Sequence, residues 1–255
     1  MFPSLAQRIQ QSQERITLFH TSALTREILE DVISRHKNID IDIAIDESGH
    51  PFIGHSLEYY RISWESQPIT IPFWEGLELL EWSDIPIILD CKEIWALPFL
   101  IQIIERLWAH RILVHIYARE FRFSHFEWAD HNYPSEWIDM REVANLKKKY
   151  PNITTTASCK YLDPELLKTR GKYTILNFIR EILVSNNVDT ICLNVPDNTI
   201  DDETLNFFLE ENIIPHVTVD AIDASKLTSC YIWESDFIDR VSDSRTLGYT
   251  QKKVN

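Results

Sequence analysis

The segment Ile39-Asp40-Ile41-Asp42-Ile43-Ala44-Ile45 alternates strictly between a branched apolar residue and a small or acidic one. Period-two alternation is the pattern of a β-strand, so the isoleucines share one face and Asp40, Asp42 and Ala44 share the other. Isoleucines belong against a layer of helices. That sends both carboxylates to the interior side of the sheet, where an uncompensated charge is costly and a bound cation is one way to keep both ionised. A second apolar run, Pro86-Ile87-Ile88-Leu89-Asp90-Cys91-Lys92, ends with Asp90 and Lys92 on a common face. Asp40, Asp42 and Asp90 are therefore the candidate metal ligands, and carboxylate oxygens suit Mg²⁺ or Ca²⁺ better than Zn²⁺. The alternative is a buried ionic cluster in which Asp90 and Lys92 simply pair with the other two acids.

Two histidines stand where they would serve such a site. His20 closes the run Ile16-Thr17-Leu18-Phe19, and His55 lies just beyond Asp42's strand in Gly49-His50-Pro51-Phe52-Ile53-Gly54-His55-Ser56. A pair of imidazoles beside a metal-bound anion supplies a general base and a general acid near neutral pH. A lone strand-end histidine is more often structural, and it is the pairing with the carboxylates that favours chemistry. Arg119, after Tyr117, and Lys160, after Cys159, are candidate binders of an anionic substrate, with ordinary salt bridges as the other reading.

Positioning these groups requires a parallel sheet. Short β-branched runs alternate with longer helical patterns, the signature of repeated βαβ units. Strands are expected at Ile16 to His20, Ile39 to Ile45, Pro86 to Cys91, Ile112 to Tyr117, Thr154 to Cys159, Thr190 to Val195, His216 to Val219 and Tyr231 to Trp233. The clearest helical patterns run over Thr25 to Arg35, Trp74 to Leu80, Trp95 to Ala109, Glu136 to Lys149, Pro164 to Ser185 and Asp202 to Glu211. Eight strands with helical crossovers in 255 residues predict an α/β fold of the (β/α)8 TIM-barrel type, with an open doubly wound sheet as the competing layout. No linker, repeat or low-complexity segment interrupts the chain, so one domain over residues 1–255 is expected. The long polar and aromatic connection from Asp46 to Pro72 follows a strand, where barrel active sites form.

Composition narrows the ligand. A formal net charge of −14 and a pI near 5.0 oppose phosphate backbones, so nucleic acid is not an expected partner. The longest basic run, Lys147-Lys148-Lys149, ends a helical pattern and complements its dipole. Cys91, Cys159, Cys192 and Cys230 are widely spaced in or beside β-like runs, as reduced core thiols are. Met1 to Glu14 lacks the apolar stretch of a signal peptide, and its Leu5 and Ile9 suggest a short amphipathic helix. No segment is apolar enough to span a membrane, which makes the cytoplasm the expected location.

The order of these motifs resembles the glycerophosphodiester phosphodiesterase family, within the phospholipase C-like phosphodiesterase barrels. The elements are His20, then Asp40-Ile41-Asp42, then Asp46-Glu47-Ser48-Gly49-His50-Pro51 leading to His55, then Asp90-Cys91-Lys92. Near the C-terminus, Ile213-Ile214-Pro215-His216-Val217-Thr218-Val219-Asp220 occupies the place of the family's Trp-Thr-Val-Asn strand. Ser235-Asp236-Phe237 resembles its final Thr-Asp-Pro turn. The resemblance implies a divalent metal on Asp40, Asp42 and Asp90, proton exchange by His20 and His55, and stabilisation of phosphate charge by Lys92. It implies a small phosphodiester substrate, a glycerophosphodiester or a related phosphoester.

The departures are specific. Thr21-Ser22 replaces the usual Arg-Gly after the first histidine, which removes a planar bidentate phosphate donor. Asp40 and Asp90 stand where the family has Glu, Ser56 stands in place of Asp, and Val217 in place of Trp. Asp90 with Lys92 and no Arg after the first histidine is closer to the sphingomyelinase D branch, whose cysteine-rich loop is absent. A barrel that has lost catalysis and serves as a binding or interaction protein is the second reading, with Tyr59, Tyr60, Trp64, Trp74, Trp128 and Trp137 as a possible aromatic surface.

Overall fold

The computed structural model describes residues 2–12, 16–20, 26–35, 38–54, 71–91, 94–118, 120–121, 137–160, 164–194, 201–218 and 232–235. In chain order its strands are β1 (Ile16–His20), β2 (Asn38–Ile45), β3 (Pro51–Ile53), β4 (Ile71–Pro72), β5 (Ile87–Cys91), β6 (Ile112–Ala118), β7 (Trp137–Ile138), β8 (Thr154–Lys160), β9 (Thr190–Asn194), β10 (Ile214–Thr218) and β11 (Ile232–Ser235). Strands β1, β2, β5, β6, β8, β9, β10 and β11 run parallel, and each pairs with the next. The ring closes because β1 pairs with β11 as well as β2. That closure decides between the two layouts: the fold is a (β/α)8 barrel. The eight barrel strands correspond to the eight runs read from the sequence. Strands β3 and β4 extend β2 as antiparallel additions, and β7 adds to β6.

The helices are α1 (Leu5–Ser12), α2 (Arg26–Ser34), α3 (Phe73–Glu81), α4 (Leu97–Arg106), α5 (Met140–Lys149), α6 (Pro164–Arg170), α7 (Lys172–Ser185) and α8 (Asp202–Leu209). Two begin on aspartate caps, as their sequences invite. Asp139 accepts from Arg141 N at 2.9 Å, and Asp201 from Thr204 N at 2.8 Å. The pattern over Pro164 to Ser185 reads as one helix, but it is two. Gly171 adopts φ of +86°, which ends α6 and opens α7. Lys147 does more than complement a helix dipole. It is buried and donates to Asp189 at 2.6 Å and to the Ile153 carbonyl at 2.5 Å.

Alternation along each strand sorts the side chains into two layers. Outward residues such as Ile39, Ile41, Ile43, Ile87, Leu89, Ile112, Val114, Ile191 and Leu193 join the main apolar core beneath the helices. Inward residues Ile16, Ile88, Leu113, Ile214 and Ile232 pack with Leu5, Ala6 and Ile9 of α1. Helix α1 thus plugs the end of the barrel where the strands begin. Its Ala6 N–H donates to the inward Thr154 hydroxyl at 2.8 Å, so one of the orphan donors of the first turn is satisfied. The floor is apolar and sealed, which leaves the polar interior above it facing the ends of the strands.

Candidate metal centre and the polar interior

Above the floor, the strand register lays polar side chains in two rows. Asp42 of β2, Asp90 of β5, His115 of β6 and Thr156 of β8 are successive register partners. Ser158 of β8, Cys192 of β9 and His216 of β10 form the second row. One carboxylate oxygen from each of Asp40, Asp42 and Asp90 lies within 4.8 Å of the other two. Among the described residues this is the one group of three acidic, histidine or cysteine side chains so drawn together. Their exposures are 0%, 2% and 1%, so water does little to screen their mutual repulsion. Isoleucines on the opposite face of β2 are locked into the helix layer, and the pleat then leaves the acids no other direction. Three carboxylate oxygens at this spacing could hold a metal ion, with the His115 ring 3.5 Å from Asp90 beside them.

The remaining expected residues divide by position. His20 ends β1 as the register partner of Asp40, placed by its backbone. His55 and Lys92 lie outside the described residues, as does Arg119. Gly54, which precedes His55, donates its N–H to the Asp42 carbonyl at 2.9 Å. The turn before it is built by Asp46, whose carboxylate accepts from Ser48 N and His50 N, both at 2.8 Å, with Gly49 at φ of +80°. Lys160 ends β8 opposite Asn194 and is likewise placed by its backbone.

Sequence reasoning missed three side chains. His115 and His216 are fully buried, with ring centroids 5.8 Å apart, and His115 Nδ1 stands 3.5 Å from Asp90 Oδ2. Cys192 is buried with them, a register partner of His216 on the neighbouring strand. The signal was present: applied to β6, β9 and β10, the parity that turned Asp40 and Asp42 inward also turns these three inward. Cys91 and Cys159 are buried and outside any disulfide, on the opposite, helix-facing parity.

Of the aromatics proposed as a partner surface, Trp74 is half exposed, and Tyr59, Tyr60, Trp64 and Trp128 lie outside the described residues. Phe2, Trp82 and Trp108 are exposed near the strand beginnings, and Trp95, just after β5, is exposed at the strand ends. No described helix is long and apolar enough to cross a membrane.

No protein-family description and no curated protein matches the sequence. Solved structures do match in fold. A protein assigned as glycerophosphoryl diester phosphodiesterase from Agrobacterium tumefaciens superposes with a TM-score of 0.57 at 10% identity, covering 88% of this chain and 94% of its own. A glycerophosphodiester phosphodiesterase from Parabacteroides distasonis gives 0.54 at 11%, with the same coverages of 88% and 94%. N-(5'-phosphoribosyl)anthranilate isomerase from Pyrococcus furiosus gives 0.52 at 14%, covering 89% and 90%. At these identities the likeness is one of barrel architecture, shared by enzymes of different chemistry.

Proposed function

We propose that this barrel is a metal-dependent phosphodiesterase acting on glycerophosphodiesters or a related small phosphoester. The observation that carries the reading is the convergence of Asp40, Asp42 and Asp90 within 4.8 Å inside the barrel. Two further features support it: His20 is paired in register with Asp40, and the chain is tied to Asp42 one residue before His55. Two phosphodiesterases among the structural neighbours are consistent with it.

In this reading Asp40, Asp42 and Asp90 hold one divalent cation, which when bound polarises the phosphoryl oxygen of the substrate. His20 and His55 carry the protons, one taking the proton of the attacking oxygen and the other giving one to the leaving alkoxide. Three aspartates around a doubly charged ion leave the cluster net negative, so a phosphodiester anion needs a further cation nearby. Lys92, two residues beyond Asp90 on the same strand parity, is assigned that role, with Arg119 and Lys160 as supporting cations. The sealed floor sends substrate and product through the other end of the barrel, where enzymes of this fold place their chemistry.

The test is hydrolysis of a glycerophosphodiester panel with Mg²⁺, with Ca²⁺ and with chelator. Expected are cation-dependent turnover in the parent, its loss in Asp42→Asn, and a raised KM in Lys92→Met. Alanine at either His20 or His55 should lower turnover by about 10²–10⁴-fold. Turnover equal in chelator and unaffected by Asp42→Asn would place the reaction elsewhere. Absence of turnover under every condition would favour the binding-protein reading.

A further inference from the structure

The chemistry above leaves the second polar row unused. Cys192 is its centre: Cys192 and His216 are register partners on β9 and β10, and the His115 ring of β6 lies against that of His216. All three are fully buried. The rings stand 5.8 Å apart at their centroids, and one of them neighbours the thiol in register. A positive ring near the sulfur favours the thiolate over the thiol by simple attraction of opposite charges. Burial pushes the thiol up, but the positive charge of His216 and His115 outweighs it and brings Cys192 down to about 6. The other titratable group on this side is Asp90 of β5, behind His115. Among the described side chains, strand β8 presents the hydroxyls of Thr156 and Ser158 here.

Those hydroxyls are the second observation. Ser158 is the register partner of Cys192, and Thr156 the partner of Thr190, two residues before Cys192. The Oγ atoms of Thr156, Ser158 and Thr190 are fully buried and meet no hydrogen-bond partner among the described residues. Buried hydroxyls are nearly always satisfied, so this half of the interior is lined for a small polar guest. Plain core packing would place Val or Ala at such positions.

We propose that Cys192 is a modification site: a nucleophilic thiol, beside His216 and near His115, that is alkylated by small uncharged polar electrophiles. With iodoacetamide as the probe, the sulfur attacks the methylene carbon, an S–C bond forms, the C–I bond breaks and iodide leaves. The thiol proton has already passed to solvent. Nothing in this step uses the aspartate cluster, so it stands or falls independently of the phosphodiesterase reading.

The experiment is iodoacetamide labelling of the native full chain from pH 5 to 9, with site-resolved rates from peptide mass spectrometry. An ordinary thiol with a pKa of about 8.5 is only about 1% thiolate at pH 6.5. A thiol near 6 is mostly ionised there, a gain of roughly 70-fold, offset about tenfold by its weaker intrinsic nucleophilicity. Cys192 should therefore label roughly five- to tenfold faster at pH 6.5 than an equally accessible ordinary thiol. Its rate should rise through a midpoint below pH 7, a midpoint that restricted access does not move. His216→Asn should shift the midpoint upward by about a unit or more, and Cys192→Ser should abolish the low-pH labelling while circular dichroism stays native. A Cys192 that does not label in the native parent, or labels with a midpoint of about 8–9, overturns the proposal without recourse to any variant.

Discussion

Replacing Asp42 by Asn should make the cation-free protein more stable and remove its response to divalent ions. The carboxylate oxygens lie within 4.8 Å of one another, so at an effective dielectric of about 20 each ionised pair repels by about 3–4 kcal/mol or more. Asp42 takes part in two of the three pairs. The amide that replaces it still needs hydrogen bonds in a buried position, and relaxation absorbs much of the rest, so the expected net gain is at least about 1 kcal/mol. In a chain of 255 residues that is a rise of about 2–4 °C in Tm, measured by scanning calorimetry in chelator. In the parent, a cation at about one hundred times its Kd adds about 2.7 kcal/mol, or roughly 5–10 °C. Asp42→Asn should forfeit that increment. The reasoning is refuted if parent and variant melt together in chelator and are then raised equally by Mg²⁺, Ca²⁺ or Mn²⁺. In that case the three carboxylates neither repel strongly nor bind a cation.

His115 stands 3.5 Å from Asp90 in a fully buried contact, so His115→Phe should weaken cation binding by about 10–100-fold, the usual effect of losing a partner that orients a ligand. Mn²⁺ titration followed by EPR measures this directly, and an unchanged affinity would remove His115 from any positioning role. Ile9 of α1 is 2% exposed among the inward floor residues, so Ile9→Ala should cost about 2–4 kcal/mol by urea unfolding. A loss under about 0.5 kcal/mol would mean that α1 does not plug the barrel.

The barrel was legible because short β-branched runs alternate with longer helical patterns along the chain. In Ile39 to Ile45 the contrast of isoleucine with acid even gave the inward face, and with it two of the three converging carboxylates. Asp90 was readable for the same reason at the end of Ile87-Ile88-Leu89. His115, Cys192 and His216 escaped because their inward neighbours, Leu113, Thr190 and Ile214, are apolar or small, so no alternation of polarity draws the eye to them. Only the closed ring, which aligns β5 with β6 and β9 with β10, shows that these isolated polar residues share a chamber. The break at Gly171 was missed for a related reason. Apolar periodicity continues across Arg170-Gly171-Lys172, and the left-handed φ that interrupts the helix leaves no mark on hydrophobic spacing.

The interior is divided by chemistry as well as by register. On the β2 and β5 side the donors are carboxylate oxygens, hard and anionic; on the β9 and β10 side they are a thiol and an imidazole, soft and proton-bearing. His115 belongs to both, facing Asp90 with Nδ1 and acting by its charge on Cys192. A ring that serves two partners cannot turn to improve one contact without disturbing the other, because a buried imidazole has no solvent to take up the slack. Cation binding at the aspartates and alkylation of Cys192 should accordingly be coupled rather than additive. A bound cation that draws Asp90 toward itself alters the hold of His115 on the sulfur. A substituent on the sulfur, in turn, pushes His115 against Asp90. The coupling is reciprocal by thermodynamic linkage: if saturating cation changes the ease of alkylating Cys192, the alkylated protein must bind the cation with a correspondingly altered affinity. Labelling rates with and without Mg²⁺, and Mn²⁺ titration before and after labelling, read the two sides of that link. Invariance of both would show that His115 moves freely between its partners.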